Sequence, residues 1–332
     1  DGKVISADVR ARVADEVSRL IPGLLEEGLS EVEFAGRVEA EARRLGHEGY
    51  IRMRGFNQEM FYGQLLTGVS GCAPSYLDTP LAGTGLSPSV AQGASFRRIG
   101  RGEPIVFDFV PVRDGYMADF TRMYAIGQLP DGLLRAYDAA LRVQQAATAA
   151  ARPGAACRAV WEAALAAADD AGLADNFMGY GAGRVPYVGH GVGIELDELP
   201  VLTGSSLELE PGMVFALEPK FVLPGLGAVG VENTWLVTGD GVEEVRADRQ
   251  GVAFFFAGGR EPSAAIIRGL MGTGPKGLAF KAAGQFVMKV PAPREEALAA
   301  AHATLDLLDR LRQAAGEGGA RPLGAEPVKE ST

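Results

Sequence analysis

The dipeptide Asp114-Gly115 constrains this chain more than any other feature. It separates a dense apolar run, Ile105-Val106-Phe107-Asp108-Phe109-Val110, from a second strand-like run, Tyr116 to Tyr124. Asp-Gly between two such runs is a hairpin signal. A two-residue turn pairs Arg113 with Tyr116, and counting outward then sets Asp108 opposite Thr121. Thr121 and Asp119 lie two residues apart on one strand, so they share a face. Asp108 and Asp119 become diagonal neighbours on that face, with backbones about 7–8 Å apart. Two carboxylates that close, in apolar surroundings, repel unless a cation lies between them. The plainer reading is two turn-proximal surface acids, and the apolar run around Asp108 weighs against it.

A second acidic pair repeats the theme. Glu218 ends the run Val214-Phe215-Ala216-Leu217, and Glu232 lies within Val229-Gly230-Val231-Glu232-Asn233-Thr234-Trp235. His190 sits between glycines in Val188-Gly189-His190-Gly191-Val192-Gly193, where the backbone can bend or pack against a ligand. Each residue alone fits a bland role: an exposed strand acid, a salt bridge, a structural histidine. Together, four carboxylates and an imidazole form a nearly all-oxygen donor set. Their four negative charges balance two divalent cations. Such a set suits Mn²⁺, Co²⁺, Fe²⁺ or Zn²⁺. Two metals about 3.5–4 Å apart can share a water and lower its pKa, which is a hydrolase design.

The rest of the chain supplies context and exclusions. Val9, Val13, Val17, Leu20 and Ile21 recur at helical spacing, with Pro22-Gly23 as the expected break. Ser30 is the expected N-cap of a second helix, with Glu33 completing a capping box, and that helix stops at Gly46. Residues 50–104 read as short strands and loops. Residues 130–172 read as helix interrupted at Pro153-Gly154. Met213–Val222 and Ala228–Val237 read as two strands. Helix pairs alternating with hairpins indicate an α+β domain. With 32 basic and 42 acidic residues the net charge is −10, which argues against nucleic-acid binding. No apolar run is long enough to span a membrane, and no membrane partner is expected. Cys72 and Cys157 are the only cysteines, too few for a cysteine zinc site and in keeping with a reducing cytoplasm. The first residue is Asp1, so the chain reads as a processed or excised piece.

Taken in order, these motifs resemble the "pita-bread" metallopeptidases, the M24 superfamily of methionine aminopeptidase, Xaa-Pro aminopeptidase, prolidase and creatinase. The matching stretches are Phe107-Asp108, Gly115-Tyr116-x-x-Asp119-x-Thr121-Arg122, Gly189-His190-Gly191-Val192-Gly193, Leu209-Glu210-Pro211-Gly212-Met213, Leu217-Glu218-Pro219 and Val231-Glu232-Asn233-Thr234. The Gly-Tyr-x-x-Asp-x-Thr-Arg run most resembles the Xaa-Pro branch. The resemblance covers residues 5 to 247. It implies a pita-bread fold of two pseudo-symmetric halves, each a helix pair with an antiparallel sheet. It implies that Asp108, Asp119, His190, Glu218 and Glu232 hold two divalent ions, with Mn²⁺ the first choice. It further implies that Glu218 is catalytic, moving a proton between water and leaving amine.

Three departures accompany the resemblance. Where family aminopeptidases carry a histidine in a His-Glu-x-Pro setting, this chain has Asp197-Glu198-Leu199-Pro200. Upstream of the first aspartate, where another histidine is expected, it has Val90-Ala91-Gln92-Gly93. An arginine common two residues before the last glutamate is Gly230. Gln92 is the candidate to supply a neutral hydrogen bond in place of histidine, and Asp197 to attract a substrate ammonium. Arg54 is the candidate to bind a substrate carboxylate by a bidentate contact.

The expected domains are 1–250, the catalytic domain, then 251–315, an appended region without an assigned role, and 316–332, a disordered polar tail. The separate N-terminal domain of Xaa-Pro enzymes is not expected. The leading function is an Xaa-Pro-type aminopeptidase or dipeptidase acting on small peptides, as a cytoplasmic protein and a candidate homodimer. One alternative is a same-fold enzyme acting on a small non-peptide substrate, a creatinase-like C–N hydrolase or lyase. The other is a non-catalytic binding module.

Overall fold

A computed structural model describes residues 16–54, 62–74, 79–245 and 256–257. The expected boundaries near 250 and 315, and the tail, lie outside the described residues.

The first half of the fold opens on two helices. Residues 16–24 are helical (α1), so Pro22 and Gly23 sit in the last turn and not beyond it. The second helix, α2, is Glu31–Arg44. The Ser30 side chain accepts from the Glu33 amide, and the Glu33 carboxylate accepts from the Ser30 amide. Gly46 follows at φ 98°, a left-handed conformation that glycine adopts without strain. Three strands come next: β1 (Gly63–Thr67), β2 (Ile105–Phe109) and, beyond a short ribbon of β3 (Val112–Arg113) and β4 (Tyr116–Met117), β5 (Phe120–Ile126).

The hairpin register is the one expected from the sequence. Arg113 pairs with Tyr116, and Asp108 pairs with Thr121. Asp114 and Gly115 both have positive φ, 54° and 74°, as a twist-compatible two-residue turn requires. Period-two alternation then sorts the side chains. Ile105, Phe107, Phe109, Phe120 and Tyr124 face α1 and α2 and pack with Val17, Ile21, Phe34 and Val38. Val106 and Met123 face the opposite core, which places Asp108, Thr121 and Asp119 on that inner side.

The second half repeats the plan. Helices α3 (Asp131–Ala150) and α4 (Cys157–Asp170) are separated at the expected Pro153-Gly154 break. Strands β6 (Gly189–Gly191), β7 (Val214–Leu217), β8 (Lys220–Leu223), β9 (Gly227–Gly230), β10 (Asn233–Val237) and β11 (Val242–Glu244) follow. The two long strands expected here are each divided. β7 pairs with β10 and β8 pairs with β9, in one continuous register interrupted at Glu218-Pro219 and at Val231-Glu232. Proline lacks an amide donor, which accounts for the first interruption. Glu218 and Glu232 fall on the same rung, at the break. A last short strand, β12 (Phe256–Ala257), runs parallel to the end of β5.

Two features fix these parts to one another. The breaks free backbone groups that join the halves: the Thr121 amide donates to the Glu232 carbonyl and the Glu232 amide donates to the Thr121 carbonyl, both at 3.3 Å. Arg122 donates to both of those carbonyls, at 2.9 and 2.8 Å. At the outer edge, Glu31 is fully buried at the start of α2. Its Oε1 accepts from the Thr67 amide (2.7 Å), the Thr67 hydroxyl (2.9 Å) and the Ser70 hydroxyl. Its Oε2 accepts from the Ser95 amide (2.9 Å) and hydroxyl (2.6 Å). Among the described residues no helix is long and apolar enough to cross a membrane.

Candidate metal centre

Asp108, Asp119, His190, Glu218 and Glu232 all line one pocket of about 160 Å³. Asp108 projects from β2. Asp119 precedes β5, His190 lies on β6, and the two glutamates occupy the interruption between β7/β10 and β8/β9. Asp119, Glu218 and Glu232 are buried.

The flanking glycines of His190 have a role different from the one expected. A Cβ on Gly189 would collide with the Ala216 carbonyl, and one on Gly191 with the Leu199 backbone. The glycines therefore admit neighbouring protein backbone, not a ligand. Gly189 lets β6 lie close against β7, with His190 paired to Ala216, and Gly191 admits the Glu198-Leu199 backbone. His190 Nδ1 is 3.2 Å from the Gly191 carbonyl, which can only accept, so Nδ1 carries the proton. That contact leaves Nε2 facing the acids, 3.6 Å from Asp119 Oδ2 and 3.6 Å from Glu218 Oε1.

Asp119, His190 and Glu232 each offer one donor atom, and these lie within 4.8 Å of one another. Asp119 Oδ1 is buried without a partner in the protein. The Asp119 backbone is held from β10, since its amide donates to Thr234 Oγ1 at 2.9 Å. The Thr121 hydroxyl donates to Glu232 Oε2 at 2.7 Å, steering that carboxylate inward.

One cation of the protein's own reaches this cluster. Lys220 is 1% exposed, and its Nζ donates to Asp108 Oδ2 (2.6 Å), Glu218 Oε2 (2.7 Å) and Glu232 Oε2 (3.0 Å). Burial works against its charge, but the three carboxylates outweigh burial and hold its pKa well above the ordinary lysine value. Burial raises Asp108, with Lys220 opposing. Burial, then repulsion from Glu232 and Asp108, raises Asp119 well above the carboxylate range. Glu232 is raised by burial, again against Lys220. Four acids share one ammonium, and a ring nitrogen and an orphaned carboxylate oxygen point into the cluster. A divalent cation fits this donor set.

Metallopeptidase family M24 matches residues 7–239, most of the chain. The chain belongs to that family. Similar M24 relatives include an Xaa-Pro dipeptidase of Lactobacillus delbrueckii subsp. lactis, 29% identical over 64% of this chain and 54% of the relative. A probable dipeptidase PepE of Mycobacterium bovis is 36% identical over 46% of this chain and 40% of the relative. The chain thus spans about half the length of these relatives. Among solved structures, dipeptidase PepE from Mycobacterium ulcerans matches with a TM-score of 0.61 and 27% identity, covering 74% of this chain and 58% of that one. Prolidase from Pyrococcus furiosus matches with a TM-score of 0.60 and 25% identity, covering 74% and 64%. The architecture is the pita-bread α+β fold expected from the sequence.

The three expected substrate contacts of this M24 chain fare unevenly. Asp197 lines the pocket, and its Oδ1 accepts the Arg54 amide at 2.8 Å. The Arg54 side chain is engaged with Glu195 at 3.0 Å, an ion pair at the surface that ties down the expected carboxylate binder. Gln92 does not line the pocket. Lys220 was not expected in the site, although the signal existed: it stands two residues after Glu218, and the stretch Glu218 to Leu223 is extended apart from its proline. Gln64, paired with Asp108 across β1 and β2, and Tyr187, packed edge-on against His190, also line the pocket and carried no motif.

Proposed function

We propose that this chain is a metal-dependent hydrolase of the Xaa-Pro dipeptidase or aminopeptidase type, cleaving small peptides. The observation that carries the reading is the convergence of Asp119, His190 and Glu232 donor atoms within 4.8 Å, with Asp108 and Glu218 in the same pocket. The names of the M24 relatives, dipeptidase and prolidase, support the substrate class. A divalent ion bound there supplies Lewis acidity, activating water and polarising a scissile carbonyl.

The chain's own residues do the remaining work. Of the five expected ligands, Asp119, His190 and Glu232 converge to hold the cation, with Asp108 and Glu218 beside them in the pocket, and the Nδ1 contact to the Gly191 carbonyl orients the ring so that Nε2 is the ligand atom. Glu218 is the proton carrier, since its Oε1 faces the Asp119–His190 side while Oε2 is occupied by Lys220. It takes a proton from water and delivers it to the departing amine. Asp197, at the pocket wall, attracts a substrate ammonium. A pocket of about 160 Å³ is small beside the roughly 300–1,000 Å³ common for ligand sites, and suits a dipeptide-sized substrate.

Mn²⁺ is the first candidate, because the donors are carboxylate oxygens with a single imidazole. The two cysteines, both free thiols, support a cytoplasmic setting. Exposed Leu86, Val90 and Phe96, close in sequence, support a homodimer.

The test is twofold. Metal content after dialysis with Mn²⁺ is compared between the wild type and His190→Ala, and hydrolysis is followed on a panel of Xaa-Pro dipeptides. Bound metal that is lost in the variant, with release of free proline, supports the proposal. No metal under any loading condition overturns it. Bound metal without cleavage of any peptide overturns the peptidase part alone.

A further inference from the structure

The candidate cluster is divided between two kinds of partner. Asp108, Glu218 and Glu232 each give an oxygen to Lys220 Nζ, at 2.6, 2.7 and 3.0 Å. An ammonium has three hydrogens, so three acceptors satisfy it completely. Asp119 Oδ1 has no protein partner, and His190 Nε2 approaches only carboxylate oxygens at 3.6 Å. One side of the cluster is therefore bound to a cation of the protein's own. The other side presents an oxygen and a ring nitrogen that Lys220 does not reach.

The fold makes room for this lysine. Lys220 and Gly230 are paired across β8 and β9. A Cβ on residue 230 would lie 2.6 Å from Lys220 Cγ and 2.8 Å from the Pro219 carbonyl oxygen. Gly230 stands where the family resemblance leads one to expect an arginine. Removing that side chain clears the path by which the lysine stem reaches the acids. Lys220 in turn begins a buried strand, Lys220–Leu223, where a charged residue is tolerated only if its head is fully paired.

We propose that the Lys220 ammonium takes the place of one of two divalent ions, so that this chain binds a single divalent ion, on Asp119, His190 and Glu232. The inference rests on the metal-dependent reading proposed above. Competition for donors supports it: a second divalent ion would need oxygens of Asp108, Glu218 and Glu232 that already accept from Nζ.

The experiment is equilibrium dialysis of the full chain against Mn²⁺ alone, followed by elemental analysis and electron paramagnetic resonance. The wild type is compared with Lys220→Met, whose folding is checked by circular dichroism. The expected result is one Mn²⁺ per wild-type chain with the six-line spectrum of an isolated ion. Lys220→Met is expected to hold two, with the broadened spectrum of an exchange-coupled pair. Two coupled ions in the wild type would overturn the lysine proposal and leave the metal reading standing. One ion in a folded Lys220→Met would also overturn it, since the lysine would not be what limits the count. No ion in either protein would overturn both. If Lys220→Met does not fold, the wild-type count and spectrum decide alone.

Discussion

Replacing Glu31 tests how the first half is held together. This carboxylate is fully buried and accepts five hydrogen bonds from Thr67, Ser70 and Ser95. In Glu31→Gln one oxygen survives, and the best placement keeps it on the three donors at Oε1. The new amide then faces the Ser95 backbone N–H, donor against donor, while the Ser95 hydroxyl can turn to accept. One buried donor left unpaired costs about 1–3 kcal/mol. The bonds at Oε1 also lose their charge assistance, partly offset because a buried charge no longer needs compensation. The net expectation is about 2–3 kcal/mol. Glu31→Ala removes both acceptor oxygens and all five bonds, although the Thr67 amide keeps Ser70 Oγ at 2.9 Å, and adds a cavity; about 3–5 kcal/mol is expected. Urea unfolding followed by circular dichroism measures both, with metal removed from every sample so that linkage does not mask the difference. A cost below about 1 kcal/mol for Glu31→Ala would refute the account, because five buried donors would then have found other partners.

Three further outcomes follow from the same structure. Gly191→Ala pushes a Cβ into the Leu199 backbone and should lose about 3 kcal/mol, whereas Gly204→Ala, with open space around its Cβ, should stay within about 0.5 kcal/mol; thermal unfolding compares the two. Thr121→Val keeps the shape but removes the hydroxyl donated to Glu232 Oε2, and calorimetric Mn²⁺ titration should show affinity about 10–100-fold weaker in a folded protein. Burial, helped by the Arg43 charge, lowers His47 from 6.5 to about 4, so the unfolded chain binds its proton first as pH falls. The resulting stability is fully present above pH 6.5 and is lost as pH falls toward 4; melting temperatures across that window should fall less steeply in His47→Gln than in the wild type.

The sequence made the hairpin legible because a two-residue turn leaves no freedom in counting. Once Asp114-Gly115 is the turn, Asp108 must meet Thr121 and share its face with Asp119. The same period-two logic reached Glu218 and Glu232 only in part, because Pro219 breaks the ladder there and the sequence does not show that both acids fall on one rung. Lys220 was hidden by expectation: a lysine next to a strand is ordinarily solvated, and only the third dimension shows three acids waiting for it. Arg54 illustrates the opposite limit. Its partner Glu195 is 141 residues away, and no local pattern announces a contact of that kind.

The reciprocal amide bonds between Thr121 and Glu232, with Arg122 across both carbonyls, tie the integrity of the site to the joining of the two halves. Each half of the chain owns acids that repel one another and a strand edge that ends in unpaired amides. Neither half is finished without the other, and Glu232, which takes part in these bonds, also lines the pocket, while the Thr121 hydroxyl holds its carboxylate. Cohesion and chemistry therefore meet in one residue, and a change that loosened the seam would displace a donor of the centre.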